Sequence, residues 1–106
     1  MNRYRGDVEL VLEGEARVMR LTLGALAELE EALGERSLLA LVERFESGAF
    51  SAADLIALLL AGLRGGGLLI DRDTLMAGTI EGGPIAAAKA GALLLKRAFS
   101  VADEAV

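Results

Sequence analysis

Two different spacings of apolar residues divide the chain into a short first part and a long second part. Over residues 7–12 apolar and acidic residues alternate, which is the period of a half-buried β-strand. Residues 16–21 alternate more weakly, and the segment Glu13-Gly14-Glu15 between the two stretches suits a tight turn. The alternation predicts an antiparallel β-hairpin over residues 7–21. Two strands alone are marginally stable, so the hairpin must lie on helices or pair with another chain.

From residue 22 onward the apolar residues recur every three or four positions, which is the period of an α-helix with one face toward a core. Capping residues precede several of these stretches and Gly residues follow them. The pattern predicts five helices, over residues 23–33, 38–46, 51 to the Gly run at 65–67, a short helix begun by Asp71 or Asp73 and ending at 77, and 84 to about 101. The predicted N-caps of the first three are Thr22, Ser37 and Ser51.

The stretch from Ser51 to Gly67 has the most extensive apolar surface in the chain. On a helical wheel its large side chains cover about two-thirds of the circumference. The remaining stripe, expected to form the outer edge of the helix, consists of Asp54, Ala57, Ala61 and Arg64. The three glycines are interpreted as a helix stop, because Gly adopts left-handed backbone conformations at low cost. We expect the rest of the chain to cover this helix, which makes it the scaffold of the fold.

These elements predict a mainly α fold with an N-terminal β-hairpin (α+β), in which about five short helices pack around a central apolar helix. At 106 residues the chain is long enough for one hydrophobic core, so a single domain over residues 1–106 is expected. Within it we assign the hairpin to residues 7–21, the helical body to residues 22–101 and a frayed tail to residues 102–106.

Composition and charge narrow the classes of function. The chain has no Cys and no His, which excludes disulfides and also thiolate or imidazole groups as metal ligands or catalysts. A net charge of −5 disfavours binding to nucleic acid. The longest strongly apolar run, from Leu55 to Leu63, is about half the length of a membrane span, and there is no N-terminal signal region. We therefore expect a cytoplasmic protein that binds neither nucleic acid nor membrane.

Three features resemble reactive or ligand-binding motifs, and each lacks a necessary part. The Gly-rich segment 62–67 follows a helix and has no Lys-Ser or Lys-Thr after it, so it does not match a phosphate-binding loop. Asp71-Arg72-Asp73 begins like a calcium loop but lacks the later Gly and Glu. No suitable base accompanies any of the four serines, and Glu28 and Glu31 have no second cluster of ligands. We predict a protein that is not an enzyme and has no cofactor or metal site.

The segment RLTLGALAELEEALG, residues 20–34, is more specific than a generic amphipathic helix. Together with RYRGDVELVLEGE before it and FSAADLIALLLAGLRGGG after it, it resembles a family of small phage-derived proteins encoded in gene transfer agent clusters and related prophages. The resemblance spans roughly residues 3–99, with one departure at Leu33, where the family pattern leads us to expect an aromatic residue. The positions that match the family pattern, none with a catalytic role, are Leu21, Thr22, Leu23, Gly24, Leu26, Leu29, Leu63, Arg64, Gly65 and Gly66.

Members of this family are labelled both as tail tube proteins and as tail assembly chaperones. The resemblance implies a non-enzymatic chaperone that binds the tape-measure and/or tail tube proteins of the same gene cluster during tail assembly. The alternative is a structural tail tube component that polymerises through the hairpin edge. A transcriptional regulator is a third hypothesis, disfavoured because the chain is acidic and lacks a basic recognition helix.

Partner binding is expected on the hairpin edge and on the last helix. On the last helix Leu93 projects among basic residues, which places an apolar side chain in an exposed sector. Self-association into a homo-oligomer is expected if Leu93 and the outer strand edge are uncovered in a single copy. The predicted partner-binding residues are Val11 and Val18 on the hairpin and Lys89, Leu93, Lys96 and Arg97 on the last helix.

Overall fold

The computed structural model describes residues 6–34 and 37–104 of the chain, and for residues 100–104 it describes the backbone alone. Within these ranges the elements are, in chain order, β1 (Val8–Leu12), β2 (Glu15–Met19), α1 (Leu23–Leu33), α2 (Leu38–Ser47), α3 (Ala52–Gly65), α4 (Arg72–Ala77) and α5 (Gly83–Glu104). The predicted order, a hairpin followed by five helices, is confirmed for this part of the chain. α5 runs past its predicted end at residue 101, and residues 105–106 of the predicted tail lie outside the described residues.

The hairpin turns through two residues with left-handed backbone, Glu13 at φ 52° and Gly14 at φ 77°. Positive φ at both positions is the type I′ geometry, which matches the twist of the flanking strands. β1 pairs antiparallel with β2, and Leu12 lies opposite Glu15 beside the turn. The register places four buried apolar side chains on the face toward the helices, namely Val8, Leu10, Leu12 and Met19.

Each of the first four helices begins at a side chain that accepts the backbone N–H three residues further on, which satisfies an otherwise unpaired donor. Thr22, Ser37 and Ser51 cap α1, α2 and α3 as predicted, and Asp71 caps α4. Ser51 and Asp54 form a complete capping box, with a donor–acceptor distance of 3.0 Å in each direction. Local sequence therefore determines where these helices begin.

α3 lies at the centre of the fold, as predicted, and contacts α1, α4, α5 and β2. Its Leu58 and Leu63 are fully buried. Three of the elements around it each contribute a side chain with no exposed surface, namely Met19 of β2, Leu29 of α1 and Leu94 of α5. The central helix is thus the scaffold against which the hairpin and the other helices pack.

The predicted outer edge of α3 is wrong at two of its four residues. Ala61 is 2% exposed because α1 packs along the small side chains of this stripe, and Asp54 is 1% exposed at the corner with α2. The Asp54 carboxylate tolerates burial because Arg44 of α2 donates two hydrogen bonds to it, at 2.9 and 3.2 Å. Arg64 is exposed as predicted, and its guanidinium pairs with Glu28 of α1.

The glycines at the end of α3 stop the helix as predicted, but two of them are required for a further reason. Only Gly67 has left-handed backbone, at φ 104°, whereas Gly66 is right-handed at φ −81°. A Cβ atom on Gly65 would lie 1.9 Å from the Arg20 carbonyl oxygen, and one on Gly66 would lie 1.8 Å from the Val18 carbonyl oxygen. The predicted stop is confirmed because α3 ends at Gly65 and Gly66 is its C-cap, although left-handed backbone is found at Gly67 alone. Gly65 and Gly66 are explained by close approach of the helix end to the hairpin backbone.

Candidate functional site

The outer edge of β1 is already paired at its end, where a partner strand was expected. The loop of residues 79–81 runs beside this edge in antiparallel fashion. The Glu81 N–H donates to the Val11 carbonyl at 3.0 Å, and the Glu13 N–H donates to the Thr79 carbonyl at 2.8 Å. The expectation of an open strand edge is therefore wrong at Val11, whose backbone already has a partner within the chain.

The edge of β2 lies against the end of α3. The Val18 carbonyl is next to Gly66, and the Arg20 N–H donates to the Gly62 carbonyl at 2.9 Å. The side chains of Val11 and Val18 are both half-buried. The hairpin is thus covered at points on both edges by its own chain, and partner binding by these two valines stays a prediction.

The outward face of α5 has exposed basic and apolar side chains, as helical spacing predicts. Lys89, Leu93 and Lys96 are all exposed, with 36% of the Leu93 surface accessible. Phe99, on the same side of the helix by its spacing from Lys96, is 40% exposed. Basic and apolar side chains therefore alternate along this face, and its binding of a partner stays a prediction.

Arg97, the fourth predicted residue on α5, is used inside the protein. Its guanidinium is half-buried and donates a hydrogen bond to the Asp7 carbonyl oxygen at 2.7 Å. The Asp7 carboxylate, 1% exposed, accepts two hydrogen bonds from Arg20 at 2.7 and 2.8 Å. The hydrogen bond from Arg20 to Asp7 raises the pKa of Arg20, against a smaller opposing effect of burial. Asp7, Arg20 and Arg97 thus connect the residues that flank the hairpin to α5. The Arg97 guanidinium is therefore bound within the protein.

A groove lined by apolar residues and glycines lies between α3, α4 and the first turns of α5. Its volume is about 330 Å³, and we call it the α4 groove. Met76 on α4 is 53% exposed beside it. An apolar depression of this kind suits large apolar side chains of another protein. Its lining includes Leu55, Ile56, Leu59, Leu75, Met76, Ile80 and Pro84.

A second depression, the α2–α5 cleft, lies between α2 and the later turns of α5 and has a volume of about 420 Å³. It differs from the α4 groove because a carboxylate, Glu46, and an ammonium group, Lys96, belong to its lining. The remainder of the lining is apolar and consists of Val42, Phe45, Ala92, Leu95 and Phe99.

The part of the chain that the structure describes was also searched for metal-binding clusters and for helices able to span a membrane. Among the side chains of residues 6–34 and 37–99 there is no group of three or more acidic, His or Cys residues placed to hold a metal ion. No single helix in the described ranges is long and apolar enough to cross a membrane. α2 and α3 reach that length and composition only as a pair, and the chain bends by 117° between them.

The fold is a small α+β domain built on one apolar helix, with two largely apolar depressions that border α5. The family model described as "phage tail tube protein, GTA-gp10" matches residues 5–101, and the chain belongs to this family. The match confirms the resemblance to gene transfer agent and phage tail proteins, and such a protein is expected to interact with other tail proteins. Searches of the curated proteins and of the solved structures find no match.

The α4 groove is not apparent from the sequence because its walls come from separate parts of the chain. Leu55 and Leu59 lie before the Gly run, whereas Met76 and Ile80 lie after it. The local pattern offered one relevant feature, the apolar pair Leu75-Met76 in a helix of six residues. Such a short helix cannot bury two successive large side chains on one side, and Met76 is the one left exposed.

Proposed function

We propose that this protein is a non-enzymatic tail assembly chaperone that acts in the bacterial cytoplasm and binds tape-measure or tail tube proteins before they assemble. The observation that carries the proposal is the α4 groove, an apolar depression on the surface of a protein of a phage tail family. Grooves between helices recognise the apolar face of an amphipathic helix in many complexes. The tape-measure protein is the helical client that the sequence resemblance implies.

The side chains around the α4 groove suit a client with variable apolar residues. Met76 is unbranched and flexible, so it can adapt to side chains of different shape. Leu55 and Ile56 are half-buried and lie in the lining, where a client can cover their remaining surface. A bound helix would present apolar residues three or four positions apart, and burial of apolar surface would drive the association.

Co-expression with the tape-measure protein of the same gene cluster tests this proposal. We expect the wild-type protein to keep the tape-measure protein in the soluble fraction, and Met76→Lys to reduce that fraction several-fold, because a lysine there places a charge against apolar client side chains. Met76 is already 53% exposed, so the substitution is expected to change the free energy of unfolding by less than about 0.5 kcal/mol.

The matched control is Leu69→Lys. Leu69 is 96% exposed and does not line the α4 groove, so the same change of an apolar residue to lysine should leave the client soluble. A tape-measure protein that is equally soluble without this protein would contradict the chaperone proposal. An equal loss of soluble tape-measure protein with both lysine variants would place the client site outside the α4 groove.

A structural tail tube component is the second candidate, and the family description favours it directly. A tube wall made of strands needs a sheet that continues between subunits. This chain has two strands in the described ranges. Residues 79–81 cover part of one edge of this hairpin, and the end of α3 covers part of the other. Mass spectrometry of purified particles distinguishes the two roles. We expect the protein to be absent from the particles, and many copies per particle would support the tube role.

A further inference from the structure

We infer that the α2–α5 cleft is a homodimer interface, in which two copies of the chain pair about a two-fold axis. The inference starts from the two helices that flank the cleft. On its outward face α5 has Lys89 and Lys96, both exposed, and it has no acidic residue between residues 84 and 99. α2 presents Glu43 and Glu46, both exposed, on its outer side. One surface of the protein therefore has an acidic half and a basic half.

The charged groups that line the cleft have no ion-pair partner within the described part of the chain. Glu46 and Lys96 both belong to the lining, yet neither forms an ion pair there. Elsewhere in the molecule Arg20, Arg44 and Arg64 each pair with a carboxylate. The cleft thus brings opposite charges to one surface without pairing them.

Apolar surface accompanies these unpaired charges. Leu39 of α2 is 68% exposed, and by helical spacing it lies on the same side as Val42 and Glu46. On α5 Leu93 is 36% exposed and Phe99 is 40% exposed. Contiguous exposed apolar surface marks interaction sites, and aromatic side chains such as Phe99 are enriched in protein interfaces.

A second copy is the occupant that matches this charge pattern. In a two-fold dimer residue i of one subunit contacts residue j of the other, and residue j then contacts residue i. Lys96 of each copy can therefore face Glu46 of the other, which forms two equivalent ion pairs at the rim, while Phe99 of each copy enters the opposite cleft. The α4 groove uses the first turns of α5 and the cleft uses later turns, so the dimer leaves the α4 groove open.

Sedimentation equilibrium between 1 and 100 µM tests the inference on the full chain. We expect the wild-type protein to be dimeric at the upper end of this range. Lys96→Glu places like charges opposite Glu46 at two symmetric positions, and we expect it to weaken the dimer by about tenfold or more. The double variant Glu46→Lys with Lys96→Glu exchanges the charges and is expected to restore the dimer.

Arg72→Glu is the matched control, because Arg72 on α4 is exposed, lies outside the cleft and gives the same change of net charge. A monomeric wild-type protein at 100 µM would overturn the inference, as would a dimer that Lys96→Glu does not weaken or that the double variant does not restore. If the wild type is monomeric and Lys96→Glu lowers client solubility instead, the cleft belongs to the client site. Co-expression with Met76→Lys separately decides the chaperone proposal.

Discussion

Gly65→Ala is expected to lower the free energy of unfolding by about 3 kcal/mol or more. The new Cβ atom would lie 1.9 Å from the Arg20 carbonyl oxygen and 3.1 Å from the Ala25 Cβ atom. Rotation of a side chain cannot relieve a contact with backbone, so α3 would have to move away from β2. In an open helix the same substitution stabilises by about 0.5–1 kcal/mol, and the clash reverses that sign. Urea unfolding followed by circular dichroism measures the change.

Two other glycines provide graded controls for this prediction. Gly62→Ala places its Cβ atom 2.7 Å from the Leu94 Cδ2 atom, which belongs to a flexible side chain, so we expect a smaller loss than at Gly65. Gly24→Ala meets nothing nearer than the Thr22 hydroxyl oxygen at 3.9 Å, and we expect no loss or a gain of up to about 1 kcal/mol. Equal stability of the Gly65 and Gly24 variants would show that the helix end does not touch the hairpin backbone.

Asp54→Ala is expected to lower the free energy of unfolding by about 3 kcal/mol at neutral pH. The substitution removes two hydrogen bonds from Arg44 and the one from the Ser51 N–H, and it leaves the Arg44 guanidinium without its partner at the α2–α3 corner. The control is Asp73→Ala, an exposed aspartate in the first turn of α4, which is expected to cost less than about 1 kcal/mol. Similar unfolding midpoints for the two variants would contradict a structural role of the buried pair.

The Asp54 carboxylate makes the free energy of unfolding decrease as the pH falls into the acid range. Burial alone raises the pKa of Asp54, but the hydrogen bonds from Ser51 and Arg44 together outweigh it and leave the pKa below its ordinary value. The folded state therefore binds this proton less readily than the unfolded state, so the contribution is present at neutral pH and is lost as pH falls below about 4. We expect the difference in unfolding free energy between wild type and Asp54→Ala to shrink from pH 6 to pH 3. A constant difference would contradict the lowered pKa.

Helical spacing was sufficient to predict that three side chains of α5 are exposed, and partner binding by them stays a prediction. Lys89, Leu93 and Lys96 share an exposed face because positions three and four apart lie on one side of a helix. Spacing could not reveal that Arg97 reaches the carbonyl of Asp7, 90 residues earlier in the chain. Nor could it reveal the α4 groove, whose lining comes from three helices and the loop that covers β1.

The sequence by itself determined the hairpin, the starts of the helices and the identity of the central helix. These features depend on groups only a few residues apart, such as a Ser51 hydroxyl and the N–H three positions on, or alternate side chains along a strand. Tertiary structure decided that Asp54 is buried with Arg44, that Gly65 and Gly66 approach hairpin backbone, and that residues 79–81 cover β1. The reason is that burial and close contact depend on distances between distant parts of the chain, which periodicity does not contain.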